Sequence, residues 1–302
     1  GLWKNEQIAP LARIVDFLHS QGAAAGIQLA HAGRKASTPV SWHTPEDLAN
    51  QERRRAVGYE HWQPVAPSAE SHDPANPEFQ VPTELDKAGI QRVKDGFVEA
   101  AIRAEKAGFD TIEIHAAHGY LLNQFLSPLS NHRPHEDGGR RENRMRLMLA
   151  VTVAVRAVAP DAKPLLARLS VSDNAPGGWT PEDSVALALE LKARGVDAID
   201  CSSGGMAQGR IASTPAYQVP FAKTVKQGAD IPTMAVGLLG DIEAAEAILQ
   251  RGEADFIALA RGALDDPNWA AHAARVLDQD YDLWPVQTQR VSGRDQVLGL
   301  RA

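Results

Sequence analysis

Two histidines and a tyrosine lie within six positions of one another, as His115, His118 and Tyr120. The apolar run that precedes them, DTIEIHA over residues 110–116, predicts a buried strand that ends at this cluster. A His-x-x-His spacing occurs in zinc half-sites, but a zinc site needs further ligands, and no other motif supplies one. Two imidazoles can alternatively donate hydrogen bonds to one oxygen while the tyrosine protonates a developing carbanion. We therefore expect chemistry without a metal at this cluster.

Polar side chains also interrupt two other apolar runs. Arg168 lies within PLLARLSV, where a charge is costly unless it is paired, so we expect either a cofactor anion or an internal acid as its partner. Gln28 lies within AAAGIQLAH and is interpreted as a buried amide, which either binds the edge of a heterocycle or makes a core hydrogen bond. Cys201 has no activating neighbour in its strand, and we interpret it as core packing.

Two segments near the C-terminal end have the features of a phosphate site. Gly237 ends one predicted strand, and Ala260 and Arg261 end the next. Glycine lets backbone N–H groups approach an anion, and an arginine adds a charge-assisted hydrogen bond. The alternative interpretation is that these residues only form tight turns.

All these residues need secondary-structure elements that bring them to one place. Short apolar runs alternate with amphipathic stretches, which predicts a parallel sheet with helical crossovers. The predicted strands are residues 23–31, 110–116, 164–171, 198–203, 232–237 and 255–260. The predicted helices are residues 8–21, 85–107, 141–159, 181–194, 220–228, 242–252 and 268–277. Gly108, Gly195 and Gly252 each follow a predicted helix, as expected of glycines that end helices before the next strand.

This recurrence favours an α/β fold of the (β/α)8 TIM-barrel type, in which active sites lie at the carboxyl ends of the strands. Six strands can be identified instead of eight, and the first recognisable element is a helix. The sequence therefore predicts one barrel domain over residues 1–302, truncated at the N-terminus to about six strand–helix units, with two open sheet edges. Residues 37–82 are expected to form a lid-like insertion, and residues 278–302 a C-terminal tail.

The composition excludes several classes of protein. A chain of 302 residues, 44% of them hydrophobic, is sufficient for one large domain. Its 31 basic and 38 acidic residues give a net charge of −7, which argues against a nucleic-acid or anionic-membrane surface. No apolar run of about 18 residues and no signal peptide can be identified. A single cysteine fits a reducing cytoplasm, so we expect a cytoplasmic protein that acts on a small molecule.

Together these segments resemble the old yellow enzyme family, in particular its thermophilic-like bacterial branch of NADPH dehydrogenases and xenobiotic reductases. The resemblance runs from residue 1 to about residue 290. Its most specific stretches are GIQLAHAGRK from Gly26, EIHAAHGYLLNQFLSPLSNHR from Glu113, ENR from Glu142 and DCSSG from Asp200.

The resemblance implies that FMN is bound without a covalent link and that NADPH or NADH reduces it. By the same resemblance, Gln28 and Arg168 are expected to hydrogen-bond the pyrimidine edge of the flavin. Gly237, Ala260 and Arg261 are expected to hold its phosphate. The implied activity is that of an ene-reductase acting on activated C=C bonds in enones, enals, maleimides and nitroalkenes.

The resemblance also implies roles at the substrate. His115 and His118 are expected to bind its carbonyl or nitro oxygen, and Tyr120 is expected to protonate its α-carbon. It further implies a homodimer or homotetramer in which the tail residue Arg290 reaches a neighbouring subunit's site.

The chain departs from the family pattern in several places. Asp137 replaces a tyrosine, and Ala260 stands where glycine is frequent. Two strand units that carry flavin contacts in the family are not in this sequence. Two alternatives therefore remain: a non-catalytic or weakly active remnant of the fold, and a flavin-free phosphate-binding barrel lyase or isomerase. The second would need a Schiff-base lysine or a set of metal ligands.

Overall fold

The computed structural model describes residues 2–59, 61–211 and 214–277. In the described part the strands are β1 (Gly26–Leu29), β2 (Val65–Ala66), β3 (Thr83–Glu84), β4 (Thr111–Ala116), β5 (Leu165–Ser170), β6 (Ala198–Ser202), β7 (Thr233–Ala235) and β8 (Phe256–Ile257). The helices are α1 (Ile8–Ser20), α2 (Gln51–Ala56), α3 (Lys87–Ala107), α4 (Leu121–Leu126), α5 (Arg141–Arg156), α6 (Pro181–Lys192), α7 (Val219–Ala229), α8 (Ile242–Gln250), α9 (Arg261–Asp265) and α10 (Trp269–Val276).

Six of the strands form one parallel sheet in the order β1-β4-β5-β6-β7-β8. The order follows the chain, and each of the five connections contains a helix, which confirms the predicted α/β fold of barrel type, with six parallel strands in the described residues. Each predicted strand and long helix is present, with bounds that differ by a few residues. In this described part, no helix is long and apolar enough to cross a membrane.

The helices begin and end where local chemistry predicts. The side chains of Asp86, Thr180 and Asp241 accept hydrogen bonds from backbone N–H groups in the first turns of α3, α6 and α8. Gly108 and Gly195 adopt φ angles of 88° and 83° after α3 and α6, which only glycine adopts at little cost. These caps fix the point at which each helix turns into the next strand.

The two faces of the sheet differ in chemistry because side chains alternate along a strand. Ile112 and Ile114 of β4 and Leu165 of β5 are fully buried in the hydrophobic core beneath the helices. The opposite face of the same strands carries Glu113 and the residues that the sequence analysis had assigned to chemistry. Burying each large aliphatic side chain contributes about 1.5–3 kcal/mol, so the helix-side face holds the strands that position the polar face.

The segment between residues 37 and 82 contains more order than its composition predicts. It includes α2, and β2 pairs in parallel with β3. The hydroxyl of Tyr59 donates to the carbonyl oxygen of Ser37 at 2.8 Å, and the N–H of His132 donates to Ser68 Oγ at 2.9 Å. The segment is thus attached to the loop that follows α4. Its role as a lid stays a prediction.

Candidate active site

The cluster identified in the sequence is one compact group in the structure. His115 is the penultimate residue of β4, and Tyr120 immediately precedes α4. The ring centroids of His115 and His118 are 5.1 Å apart, as are those of His115 and Tyr120. The two histidines and the tyrosine therefore face one small volume at the carboxyl end of β4.

A strained turn presents His118 to this volume. His118 adopts a φ of 59°, in the left-handed region that is uncommon for a residue with a side chain. Its N–H donates to Ser170 Oγ at 2.8 Å, and this hydroxyl donates in turn to the carbonyl of Gly204 at 2.7 Å. Gly205 packs against the backbone of His118 so closely that a Cβ at this glycine would overlap it. The loops after β4 and β6 are thus interlocked.

Both imidazoles are neutral at physiological pH. Burial, together with smaller repulsion from His118 and Arg168, lowers the pKa of His115 to about 3. Burial likewise lowers the pKa of His118 to about 4, with added repulsion from Arg168 and Lys35. A neutral imidazole has one N–H donor, so each ring can donate one hydrogen bond to a ligand oxygen.

A short hydrogen-bond chain orients the His118 ring. Its Nε2 lies 2.6 Å from Ser202 Oγ, and Ser202 donates its hydroxyl proton to Gln218 Oε1 at 3.1 Å. Because the single proton of Ser202 is used in this way, Nε2 of His118 is the donor and carries the ring proton. By contrast, Nδ1 of His115 is buried without a hydrogen-bond partner among the described residues.

Arg168 lies on the same face, next to His115 in the register of β4 and β5. Its Nε is 3.1 Å from Asp200 Oδ2, so the internal acid, one of its two predicted partners, is present. Burial, more than the neighbouring Glu113 of β4, raises the pKa of Asp200, and Arg168 opposes the rise. The pairing leaves Arg168 Nε and Asp200 Oδ1 without a hydrogen-bond partner in the described part of the chain.

Gln28 is in the predicted strand, but the expectation that it is buried is wrong. It is exposed, because β1 is an edge of the six-stranded sheet and pairs with β4 alone. Its Nε2 donates to Glu113 Oε1 at 2.6 Å. Gln28 is in register with Glu113, and His115, Arg168 and Asp200 are in register with one another two residues further along, so these polar residues share one face of four neighbouring strands.

The residues predicted to hold a phosphate lie in the loops at the carboxyl ends of β7 and β8. Gly237 has a φ of 122°, and Arg261 begins α9 directly after Ala260. The two loops lie side by side, since a Cβ at Gly262 would be 3.7 Å from Gly240 Cα. Arg261 is exposed. The structure thus places these residues at the same end of the sheet as the histidine cluster.

Two residues at the site were missed by the sequence analysis, Lys35 and Asp200. Lys35 Nζ donates to the carbonyl oxygen of His118 at 2.9 Å. Burial, with a smaller contribution from the neighbouring Arg34, lowers the pKa of Lys35 to about 8. Asp200 was detectable from the sequence, because an acid within the apolar run AIDCS has the same desolvation cost as Arg168 within its own strand. Lys35 gave no such signal, since it lies beyond its strand.

The residues that are present fit an FMN molecule. A flavin pyrimidine edge needs donors and acceptors, and the polar face of the sheet offers the amide of Gln28 and the guanidinium group of Arg168. A phosphate needs a cationic side chain beside exposed backbone, and Arg261 next to the open Gly240 supplies both. Arg290 lies outside the described residues. No group of three potential metal ligands occurs in the portion of the chain that the structure describes.

Comparisons with known proteins agree on one family. Residues 1–280 match the model of the NADH:flavin oxidoreductase / NADH oxidase family. An NADPH dehydrogenase of Geobacillus thermodenitrificans (strain NG80-2) is 42% identical over 290 residues, which cover 96% of this chain and 77% of that protein. An NADPH dehydrogenase of Bacillus subtilis (strain 168) is 40% identical over 290 residues, covering 96% of this chain and 78% of that protein.

Solved structures give the same result. Morphinone reductase superposes with a TM-score of 0.71 at 26% identity, covering 93% of this chain and 72% of that one. The old yellow enzyme homologue from Zymomonas mobilis also gives 0.71 at 26%, covering 95% and 76%. A 2-naphthoyl-CoA reductase gives 0.77 at 23% identity and shows the fold alone; the chain spans 41% of its length.

Proposed function

The chain belongs to the NADH:flavin oxidoreductase / NADH oxidase family, the family of the old yellow enzymes, and we propose that it reduces activated C=C bonds. Family membership makes it an FMN-dependent oxidoreductase that takes electrons from NADPH or NADH. The observation that carries the finer proposal is a pair of neutral imidazoles, His115 buried and His118 partly buried, beside the ring of Tyr120. This arrangement suits an alkene conjugated to a carbonyl or nitro group.

The two histidines would bind the oxygen of that group. In the structure, Nε2 of His118 donates to Ser202 Oγ. When a substrate binds, its oxygen would replace Ser202 Oγ as the acceptor of this hydrogen bond. His115 offers a second imidazole within 5.1 Å of the first. Two hydrogen bonds to the oxygen draw electron density from the conjugated alkene and make its β-carbon electrophilic. Burial strengthens both bonds because little water competes for them.

Tyr120 would deliver the proton. Its ring stands edge-on to His115, with an angle of 88° between the ring planes. A phenol in this position can protonate the α-carbon as charge develops there, on the opposite side of the double bond from the incoming hydride. FMN, when bound, supplies that hydride. Gln28 and Arg168 would hold its pyrimidine edge, and Gly237, Ala260 and Arg261 its phosphate.

A flavin-free lyase is the second candidate, and one observation favours it. Lys35 lies at the site with its pKa lowered to about 8, as a Schiff-base lysine requires. However, its amine donates to the carbonyl oxygen of His118 and so supports the strained turn instead of facing a substrate. The expected homo-oligomer, with Arg290 reaching a neighbouring site, stays a prediction, as does a location in the cytoplasm.

The test is to purify the chain with FMN and to assay NADPH-dependent reduction of 2-cyclohexenone. We expect retained flavin, turnover of the enone, and a loss of about 10²–10⁴-fold in turnover for Tyr120→Phe, which keeps the ring and removes the proton. Tyr59→Phe is the matched control, because it removes a phenol hydroxyl that donates to the carbonyl oxygen of Ser37 and is not part of the cluster. A colourless protein that takes up no FMN contradicts the proposal. A flavoprotein that oxidises NADPH but never reduces the enone contradicts its substrate class.

A further inference from the structure

Asp200 is a buried acid whose charge the proposed reaction does not use. It is 3% exposed and lies on the inner face of β6, in register with Arg168 of β5. Its Oδ2 is 3.1 Å from Arg168 Nε, and its Oδ1 has no hydrogen-bond partner in the described part of the chain. A buried carboxylate with one partner and one bare oxygen is expensive to keep ionised.

Asp200 belongs to a group of two acids and one base. Glu113 of β4 and Arg168 of β5 are the charged groups that face it. Cys201 follows Asp200 on β6 and lies in the helix-side core. The uncharged Met234 of β7 is the register partner of Asp200. The group Glu113, Arg168 and Asp200 is therefore neutral when Asp200 is protonated and carries one negative charge when Asp200 and Glu113 are both ionised.

We propose that Asp200 is a positioning residue that holds Arg168 and, through the charge on its carboxylate, sets the reduction potential of the bound flavin. The inference rests on the proposed function, because it requires Arg168 to contact the flavin. A flavin held by Arg168 would take a hydride from NADPH, with release of NADP⁺, and would then carry one more negative charge. An ionised Asp200 offsets the positive charge of Arg168 and disfavours that product, whereas a protonated Asp200 does not.

Burial raises the pKa of Asp200 to about 7, with Arg168 opposing the rise and Glu113 adding to it. The carboxyl therefore changes charge in the neutral range. Addition of negative charge to the flavin raises the proton affinity of Asp200 further. Reduction of the flavin is thus expected to be accompanied by uptake of a proton on this carboxylate.

The experiment is to measure the two-electron reduction potential of the FMN-loaded protein, by equilibration with a redox dye, in wild type and Asp200→Asn. At about pH 8.5 the equilibrium constant for reduction of the flavin should be at least about tenfold larger in the variant. For two electrons this corresponds to a reduction potential that is about 30 mV higher. At about pH 5.5, where both side chains are neutral, the difference should fall below about twofold.

Asp230→Asn is the matched control, because it removes one negative charge from a side chain in full contact with solvent. It should match wild type at both pH values.

A second measurement uses the wild-type protein alone, in case Asp200→Asn does not fold. The infrared difference spectrum between the reduced and the oxidised flavoprotein at about pH 8 should show a new band of a protonated carboxyl group. If the wild-type flavoprotein shows no such band, this inference is overturned. It is also overturned if the potentials of wild type and Asp200→Asn differ by the same amount at every pH. Neither result affects the proposed function. A chain that takes up no FMN overturns the proposed function and this inference with it.

Discussion

His115 and His118 differ from ordinary surface histidines in that desolvation, more than any ion pair, decides their charge. Burial lowers the pKa of His115 to about 3 and that of His118 to about 4, and Arg168 opposes a positive charge on both. The site therefore offers hydrogen-bond donors without offering a cation. This suits a neutral carbonyl oxygen, which a hydrogen bond can polarise without the formation of a tight ion pair.

The two low pKa values predict how stability depends on pH. In the unfolded chain these histidines have a pKa near 6.5, so between about pH 6.5 and about pH 4 the unfolded state binds more protons. The free energy of unfolding should fall as the pH falls through this window, by about 1.4 kcal/mol per pH unit for each histidine. Urea unfolding of wild type and of a His115→Asn, His118→Asn double variant between about pH 8 and about pH 5 checks this.

The double variant should show the shallower decline. His31 and His72 also have lowered pKa values, but they are present in both proteins, so their contribution cancels in the difference. Parallel declines in the two proteins would contradict the account of buried, neutral imidazoles.

Single residues were predictable from the sequence where their chemistry conflicts with their surroundings. His115 and Arg168 are polar groups within apolar strands, and both lie on the face where the period-two pattern places them. His118 follows in the turn after β4. Lys35 carries no such conflict in its own segment. Its contact with the His118 carbonyl depends on how the loops after β1 and β4 meet, which no local pattern specifies.

At the scale of elements, the site depends on two interlocked loops. The loop after β4 presents His118 in a left-handed conformation, and Gly205 in the loop after β6 packs against it. A Cβ at Gly119 would in turn overlap the carbonyl oxygen of Gly205. Glycine at both positions allows an approach that any side chain would prevent. The strain at His118 is thus held by its neighbours.

Gly205→Ala should therefore be more costly than an ordinary substitution at a positive φ. It adds a backbone penalty at a φ of 102° and an overlap with His118, which together should lower the free energy of unfolding by about 2–4 kcal/mol. Gly22→Ala is the matched control, with a φ of 76° and nothing within 4 Å of its Cβ, and should cost about 1 kcal/mol. Denaturant unfolding measures both. Equal losses would show that the two loops do not depend on this contact.

The order and type of the barrel elements were predictable, because each unit repeats the same apolar run, helix and glycine stop. The segment from residue 37 to residue 82 was not, because β2 and β3 have two residues each and are held by partners outside their own runs. The exposure of Gln28 was missed for a related reason. Whether a strand is an edge depends on its neighbours in the sheet and not on its own residues.

At the scale of the whole molecule, the described sheet has two open edges, at β1 and β8. Beside β1 lies an apolar cavity of about 520 Å³, lined by residues that include Ile27, Leu29 and Phe97. On β8, Phe256 is 50% exposed although it lies within a strand. The histidine cluster on β4 and the phosphate loops after β7 and β8 lie at the carboxyl ends of the same sheet. One FMN molecule that contacts both the histidine cluster and the phosphate loops would therefore lie across the carboxyl ends of several of these strands.

The most direct test of this account is the reaction of the reduced flavoprotein with an alkene. The FMN-loaded chain is reduced anaerobically with NADPH and mixed rapidly with 2-cyclohexenone, and the return of oxidised-flavin absorbance is followed. Wild type should reoxidise readily, and the His115→Ala, His118→Ala variant about 10²-fold or more slowly, because alanine offers no side-chain donor to the enone oxygen. Both proteins should reoxidise equally with ferricyanide, which needs no such donors. Equal rates with the enone, or no reaction in wild type, would contradict the assignment of this cluster to alkene reduction.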